Sequence, residues 1–365
     1  GCSAVGPDYQ RPAAVADARF ISAGATAVNT QAPAADIATF WRGFNDAQLS
    51  ALIERALQAN GDVRMAQARL QEARANQGEA DAAGLPGVGI DTSVERSVRP
   101  ITQQPGITRS ARTGTAYDAS FVANWEIDLF GGVRRSREAA AARVSASEAG
   151  LNAAHTAVAA EVARYYLELR GLQERLRVAR ANRDNQQRTL DLVQARLDAG
   201  GASDFDGARA RAQLEATSAR IPALEAAEAV AMHRIAVLTG RTPDALIATL
   251  SQPASLLVLP ARIEPGTPAD VLRHRPDVGA AEARLHAATA RIGIATADLF
   301  PRITLGGLLG TQASAAGALF ERARQTRLVA LGIDWSFLDV GRVRARIAAA
   351  DAAGDAALAH YQQSV

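Results

Sequence analysis

The sequence has one cysteine and no lysine, and only 5% of its 365 residues are aromatic. A single cysteine excludes an intrachain disulfide and any metal cluster built from several thiolates. No apolar run reaches about 18 residues, which excludes a transmembrane helix. Basic and acidic residues nearly balance, at 40 and 38, so the unopposed basic face of a dedicated nucleic-acid binder is not expected.

The sequence motifs of several enzyme classes are also missing. There is no glycine-rich dinucleotide or phosphate loop and no Gly-x-Ser-x-Gly elbow. Asp204 and Asp206 stand where a helix is expected to begin, so capping is favoured over a cation-attracting role. The histidines show no i, i+4 pair and are interpreted as solvated residues rather than zinc ligands: His155, His233, His274, His286 and His360. We therefore expect no catalysis, metal or cofactor.

What is abundant points to long helices. Hydrophobic residues make up 48% of the chain, and the remainder is rich in Arg, Glu and Gln. Together with many alanines, this is the composition of coiled coils more than of a compact enzyme.

The position of the cysteine suggests a lipid anchor. Gly1-Cys2 resembles the last residue of a removed signal followed by an acylated first residue, as in bacterial lipoproteins. The alternative is a cloning remnant with an incidental thiol. Residues 3–36 combine prolines with many alanines and show no sustained period, which predicts an extended tether.

A long-range repeat organises the rest of the chain. Asp62-Val63, Arg69-Leu70 and Leu85-Pro86 recur in the same order as Asp277-Val278, Arg284-Leu285 and Phe300-Pro301, and Trp125 recurs as Trp335. The second copy stops about 85 residues short of the first if the two are equal, so we expect a truncated second copy.

Each copy is expected to open with helices and continue as two strands. Leu49 to Leu57 follow helical spacing until Asn60-Gly61, and a second helix is predicted from Val63 toward Gly84. Beyond Pro86 the period changes to two. The predicted apolar faces are Val88, Ile90, Thr92 and Val94; Tyr117, Ala119, Phe121, Ala123, Trp125, Ile127 and Leu129; Ile303 and Leu305; and Val329, Leu331, Ile333, Trp335 and Phe337.

These strands fit a sandwich or a membrane barrel, and the aromatic residues favour the barrel. Tyr117 and Trp125 share one face and lie roughly 26 Å apart, which is close to the height of the apolar band of an outer-membrane barrel. Four strands cannot close such a barrel, because the smallest have about eight. The barrel must therefore be shared between chains.

A very long helix follows the first strand pair. From Gly131 to Leu197 apolar residues recur at the 3.5 spacing of a supercoiled helix, which would measure about 100 Å. Gly200-Gly201 ends it. A return helix is predicted from Asp204 to Leu238 with a kink at Pro222, and Gly240 as its stop. The result is a long antiparallel hairpin.

The predicted fold is thus mainly α with a small β part. Its segments are a lipidated tether (1–36), opening helices (37–86), a strand pair (87–130), the long hairpin (131–240), a linker (241–267), a second-copy helix (268–300), a second strand pair (301–339) and the start of a second long helix (340–365).

Several motifs in one order resemble a known family. Val5-Gly6-Pro7-Asp8-Tyr9 and Phe40-Trp41 begin the series, Trp125 to Gly131 and Leu238-Thr239-Gly240 continue it, and the most distinctive block is Arg275 to Val278, Ala281 to Leu285, Ile292-Gly293, Ala297-Asp298 and Phe300-Pro301. The chain is similar to the TolC-like outer membrane factors, in particular the acylated branch that serves tripartite RND-type multidrug efflux pumps.

The resemblance implies a homotrimer with a twelve-stranded transmembrane β-barrel and a hollow α-barrel across the periplasm. It implies a lipid on Cys2, an aromatic girdle at Tyr117, Trp125 and Trp335, and outer-membrane lipid around the sheet. A periplasmic membrane-fusion adaptor would dock on the hairpin tip, at Arg196, Leu197, Gly200 and Ser203, and connect it to the inner-membrane pump. Leu197 replaces the family's aromatic residue, and the second tip falls in the missing stretch.

The expected function is a passive exit duct for small toxic compounds. Two alternatives remain: a duct for type I protein secretion, and a periplasmic coiled-coil structural or adaptor protein with a soluble sandwich.

The connection between the first two predicted strands allows two interpretations. Arg99, Arg109 and Arg112 lie in a strand connection without a carboxylate between residues 98 and 116, so they face either the phosphates of the outer leaflet or solvent.

Overall fold

The computed structural model describes residues 4–12, 37–98, 100, 102, 105–106, 108–252, 254, 256–257 and 267–365. Cys2, most of the predicted tether and Arg99 lie outside the described residues. The described chain is mostly helical and carries a four-stranded antiparallel sheet, which confirms the predicted fold class at this level.

The helices are α1 (Ala47–Ala59), α2 (Gly61–Ala82), α3 (Gly132–Asp198), α4 (Asp204–Ser218), α5 (Ile221–Leu238), α6 (Ile247–Leu250), α7 (Pro268–His274), α8 (Pro276–Ala297) and α9 (Val340–Ser364). The strands are β1 (Gly87–Val98), β2 (Thr113–Ile127), β3 (Arg302–Ala313) and β4 (Gln325–Asp334). Short 3₁₀ helices cover Ile37–Phe44, Ala316–Ala318 and Arg322–Arg324.

Asn60 separates the first two helices, as its sequence context predicts. Its backbone N–H donates to the carbonyl of Ala56 at the end of α1, and its side-chain oxygen accepts a hydrogen bond of 2.8 Å from the N–H of Asp62. One residue therefore ends α1 and satisfies a free donor at the start of α2.

The predicted long helix is confirmed, since α3 is a continuous helix of 67 residues. The return helix differs from its prediction. It is two helices, because α4 ends at Ser218 and α5 begins at Ile221, where Pro222 occupies the first turn. Proline lacks the N–H that a continuous helix needs and fits the first turn, so the chain breaks before Pro222 instead of kinking there.

The sheet joins the two strand pairs directly. Its order is β1-β2-β3-β4, with β2 and β3 antiparallel and in register from Tyr117 opposite Ala313 to Ile127 opposite Ile303. The prediction for the last strand was partly wrong. β4 ends at Asp334, so Trp335 and Phe337 lie after the strand.

The chain divides into two compact units. The first comprises the described residues within 4–12, 70–148 and 277–365, and it contains the sheet. The second comprises the described residues within 37–69 and 149–276. Its core is built from α1, α3 and α5, and its fully buried side chains include Leu49, Ile53, Val162, Leu169 and Ile235. Within the described ranges, each helix is too short or too polar to cross a membrane.

Candidate functional site

The four strands align their apolar side chains on one side of the sheet. This apolar face consists of Val88, Ile90 and Val94 of β1, Tyr117, Phe121 and Trp125 of β2, Leu305 and Leu309 of β3, and Val329, Leu331 and Ile333 of β4. Val88 is 73% exposed and Val329 80% exposed, although both are apolar. A contiguous exposed apolar patch of this kind marks a surface that contacts a membrane or another chain.

The opposite side of the sheet is mainly polar, with an apolar row at Val122, Leu308 and Leu328. Asp91 of β1 lies opposite Ser120 of β2, and Ser93 lies opposite Asp118. Asn124, Glu126, Thr304 and Gln312 continue this polar face along β2 and β3. The period of two in the sequence therefore correctly separates an apolar face from a polar one.

Both edges of the sheet are open. β1 and β4 are the first and last strands in the sheet order, so each pairs with a single neighbour among the described residues. β1 is 12 residues long and β4 is 10, and each leaves one row of backbone donors and acceptors without a strand partner. Long edge strands with such rows favour pairing with a strand of another chain.

The two tryptophans anchor the sheet to the helices that precede it. The indole N–H of Trp125 donates to the carbonyl of Gly84 at 3.2 Å, and that of Trp335 donates to the carbonyl of Leu299 at 3.1 Å. Gly84 and Leu299 each stand two residues before a proline, at positions that the sequence repeat pairs with each other. Trp335 keeps this contact although it lies after β4.

The predicted tip residues lie in one tight turn. Gly200 has φ of +75°, its N–H donates to Leu197 at 2.9 Å, and the N–H of Gly201 donates to Arg196 at 2.7 Å. These two bonds form a Schellman motif, which satisfies the last carbonyls of α3. A residue with a β-carbon is strained at this positive φ, so the turn depends on Gly200.

Ser203 starts the return helix. Its hydroxyl caps the N–H of Asp206, while the Asp206 carboxylate accepts a 3.0 Å bond from the Ser203 N–H, which completes a capping box. The side-chain and backbone hydrogen bonds from Ser203 lower the pKa of Asp206. Asp206 is thus a capping residue, as its position near a helix start indicated.

The tip also exposes a residue that the sequence interpretation missed. Phe205 in the first turn of α4 is 72% exposed, and Leu192 near the end of α3 is 57% exposed. Exposed large apolar side chains next to a polar turn are typical of protein contact sites. The signal was an aromatic residue between Asp204 and the capping residue Asp206.

The N-terminal segment is fastened to the first unit. Arg135, 4% exposed, bonds the carbonyl of Val5 at 3.1 Å and pairs with Asp8 at 2.6 Å and Glu138 at 2.8 Å. Desolvation opposes ionisation of Glu138, but hydrogen bonds from Arg135 and His286 outweigh it and lower its pKa. The start of the described chain is therefore held in one place.

The first described residues of this segment lie beside the junction of β2 and α3. The N–H of Val5 donates to the carbonyl of Phe130 at 3.0 Å, three residues after β2 ends. A β-carbon on Gly131, whose φ is +87°, would lie 2.4 Å from the β-carbon of Ala4. Glycine is required for this approach, which brings Ala4 to the junction of β2 and α3.

A buried arginine orders the second unit. Arg170 is 2% exposed, and its guanidinium bonds Gln48, the side chain of Gln173 and, at 3.0 Å, the carbonyl of Gln252. It also lies over the ring of Tyr166 at 4.8 Å. The network ties α1 and the segment after α6 to α3, and it was not predicted from the sequence.

Comparison with known proteins agrees with this arrangement. The family described as "Outer membrane efflux protein" matches residues 52–241 and 267–365. "Nodulation protein T" of Rhizobium leguminosarum bv. trifolii is 31% identical over 355 residues, which are 95% of this chain and 72% of that protein. "Outer membrane protein OprJ" of Pseudomonas aeruginosa is 32% identical over 376 residues, covering 100% of this chain and 75% of that protein.

Solved structures share the fold. The outer-membrane channel OprN superposes with a TM-score of 0.90 at 38% identity, covering 98% of this chain and 79% of that one. VceC from Vibrio cholerae superposes with a TM-score of 0.82 at 26% identity, covering 90% of this chain and 77% of that one. The likeness extends over both compact units.

Proposed function

The chain belongs to the outer membrane efflux protein family, and we propose that it forms the outer-membrane exit duct of a tripartite efflux system, which small toxic compounds cross passively. The observation that carries this proposal is a single sheet that combines an exposed apolar face, a polar face and two open edges. Such a sheet suits a wall between lipid and water.

The wall closes only with other copies of the chain. Four strands fall short of the roughly eight that the smallest membrane barrels contain, whereas three chains provide twelve. In this arrangement β4 of one chain pairs with β1 of the next, which removes both open edges. The apolar face meets lipid, and Tyr117, Trp125 and Trp335 form the aromatic girdles.

The helices support the same assembly. α9 has 25 residues, of which only Val343, Gly354 and Tyr361 are buried in the single chain. A helix so exposed gains stability from packing against neighbouring copies. In the trimer the helices enclose a periplasmic α-barrel, and the polar face of the sheet lines the continuing pore.

Channel conductance tests the proposal. Purified protein added to a planar lipid bilayer is expected to give stepwise, ohmic current increments, because an open water-filled pore needs no energy source. A protein that stays in solution and leaves the bilayer non-conducting under all voltages would contradict it.

We propose that a membrane-fusion adaptor docks at the tip of the hairpin. This adaptor would link the chain to an inner-membrane RND-type pump. Arg196, Leu197, Gly200 and Ser203 form the turn, and Phe205 adds an exposed aromatic ring. The turn offers a fixed backbone shape together with apolar and cationic side chains, a combination suited to a protein partner.

Gly200→Val is expected to impair efflux more than assembly. A β-branched residue is strained at the φ of +75° and alters the turn, while the sheet and its edges are untouched. Accumulation of a fluorescent efflux substrate in cells should rise at least about fivefold, with trimer yield falling less than about twofold.

Gly171→Val is the matched control, because its added side chain meets open space in the middle of α3. It should leave accumulation near the wild-type value. Loss of trimer in Gly200→Val to the same degree as loss of efflux would argue against the tip assignment.

We also propose that Cys2 carries a covalent lipid. The proposal is supported by Ala4, two residues later in the chain, which lies against Gly131 just after β2. Cys2→Ser should therefore lower the mass of the mature protein by that of the acyl groups, measured by intact mass spectrometry. An identical modification state in both proteins would reject acylation at this residue.

A further inference from the structure

The connection between β3 and β4 folds back over the apolar face. The hydroxyl of Thr311 in β3 donates to the carbonyl of Leu319. This hydrogen bond holds the residues that follow Leu319 above the sheet. Between this connection and the strands lies a cleft of about 360 Å³. Its apolar lining comes mainly from Ile90, Phe121, Leu309 and Phe320, and its charged lining residues are Glu321 and Arg327.

Arg327 is the unexpected member of this lining. In the strand register it continues the row of Ile90, Phe121 and Leu309, so a cation stands among apolar residues on the apolar face. It is exposed, and no carboxylate of a described residue lies within ion-pair distance of it. The nearby Glu321 instead approaches Arg324 at 3.9 Å.

A charged side chain on the lipid-facing side of a barrel is costly unless a partner compensates it. Arginine satisfies that need well with phosphate, because its planar guanidinium donates two parallel hydrogen bonds. The lining suits a lipid that carries a phosphate. Its acyl chain would pack against Phe121, Leu309 and Phe320, and its phosphate would contact Arg327.

We propose that this cleft binds a phosphorylated glycolipid of the outer leaflet, with one acyl chain in the apolar part and a phosphate on Arg327. The assignment of the leaflet rests on the proposed function, because it requires the helices to lie on the periplasmic side. The β3–β4 connection then faces the exterior.

The charge around the cleft favours a lipid with more than one phosphate. Arg322 and Arg324 lie in the 3₁₀ turn that leads into β4, and both are exposed. With Arg327 they place three cations within six residues, against the single carboxylate of Glu321. A glycolipid with two phosphates matches this excess better than a phospholipid with one.

Lipid retention measured by native mass spectrometry tests the proposal. The intact detergent-solubilised protein is incubated with bisphosphorylated lipid A, with dephosphorylated lipid A, or with phosphatidylglycerol. We expect the bisphosphorylated lipid to be retained at least about fivefold better than either of the others. Equal retention of dephosphorylated lipid would overturn the phosphate contact, and equal retention of phosphatidylglycerol would overturn the choice of glycolipid.

Arg327→Gln should reduce retention of bisphosphorylated lipid A by at least about fivefold. The matched control is Arg96→Gln, which removes an exposed arginine from the same face of β1 but outside the cleft, and should change retention less than twofold. Undiminished retention in Arg327→Gln, or an equal loss in Arg96→Gln, would refute the site.

Conductance of the same samples separates this inference from the proposed function. Normal current steps with retention that is insensitive to Arg327 would refute the cleft alone. Retention that depends on Arg327 in a protein that never conducts would support the cleft and refute the duct.

Discussion

Phe121→Arg is expected to prevent the chain from accumulating as an outer-membrane trimer. Phe121 lies on the apolar face between Tyr117 and Trp125, with the apolar residues Ile90 and Leu309 beside it on the two neighbouring strands. An arginine on the lipid-facing side of a barrel costs up to about 4 kcal/mol, depending on its depth, and a trimer would incur this cost three times. Membrane fractionation followed by an unheated gel should show at least a tenfold loss of trimer.

Val122→Arg is the matched control because successive residues of a strand point to opposite faces. Val122 lies on the polar face, opposite Gly89 and Leu308, where the added guanidinium would reach the water-filled pore. Trimer yield should stay within about twofold of wild type. Equal tolerance of both substitutions would show that the apolar face does not meet lipid.

Arg170→Met is expected to destabilise the second unit strongly. The substitution removes the buried guanidinium that donates to Gln48, Gln173 and the Gln252 carbonyl. A hydrogen bond from a charged donor contributes about 1.5–3 kcal/mol, so a loss of about 3 kcal/mol in unfolding free energy is expected. Circular dichroism during urea denaturation should show a markedly lower midpoint.

Arg177→Met provides the comparison on the same helix. Arg177 is exposed and, among the described residues, forms an ion pair with Glu174 one turn earlier, at 2.6 Å. Surface pairs of this type contribute little to stability, so the urea midpoint should hardly move. If both variants unfolded at the wild-type midpoint, the buried network would not hold α1 to α3.

The sequence was informative where a pattern is local and repeated. The alternation along β2, to which Val122 is an exception, predicted both faces of that strand, and the regular apolar spacing predicted α3 nearly to the residue. Asn60 and Gly200 marked helix ends, because each supplies a backbone conformation or a hydrogen bond that a helix end requires.

Features that depend on distant contacts were not predicted. Nothing local to Tyr117 indicates that its neighbour across the strand is Ala313. The end of β4 before Trp335 and the break before Pro222 depend on pairing and on backbone geometry at single residues. Arg170 lies in a helix full of surface arginines, so its burial becomes visible only when Gln48 and Gln252 are brought to it.

For the candidate site, the sequence supplied the turn and the tryptophans but not their partners. Gly200 was predicted to end the long helix and the family resemblance implied Ser203 at the tip, whereas the exposure of Phe205 required the packed hairpin. Arg327 was missed because the cleft beside it is formed by a connection that folds back over the strands.

The mass of the purified particle tests the central claim most directly, which is that three chains share one barrel. Native mass spectrometry of the detergent-solubilised protein should give three times the mass of the lipidated chain, without smaller species at nanomolar concentration. A particle with the mass of one chain, helical and stable in buffer without detergent, would contradict the account.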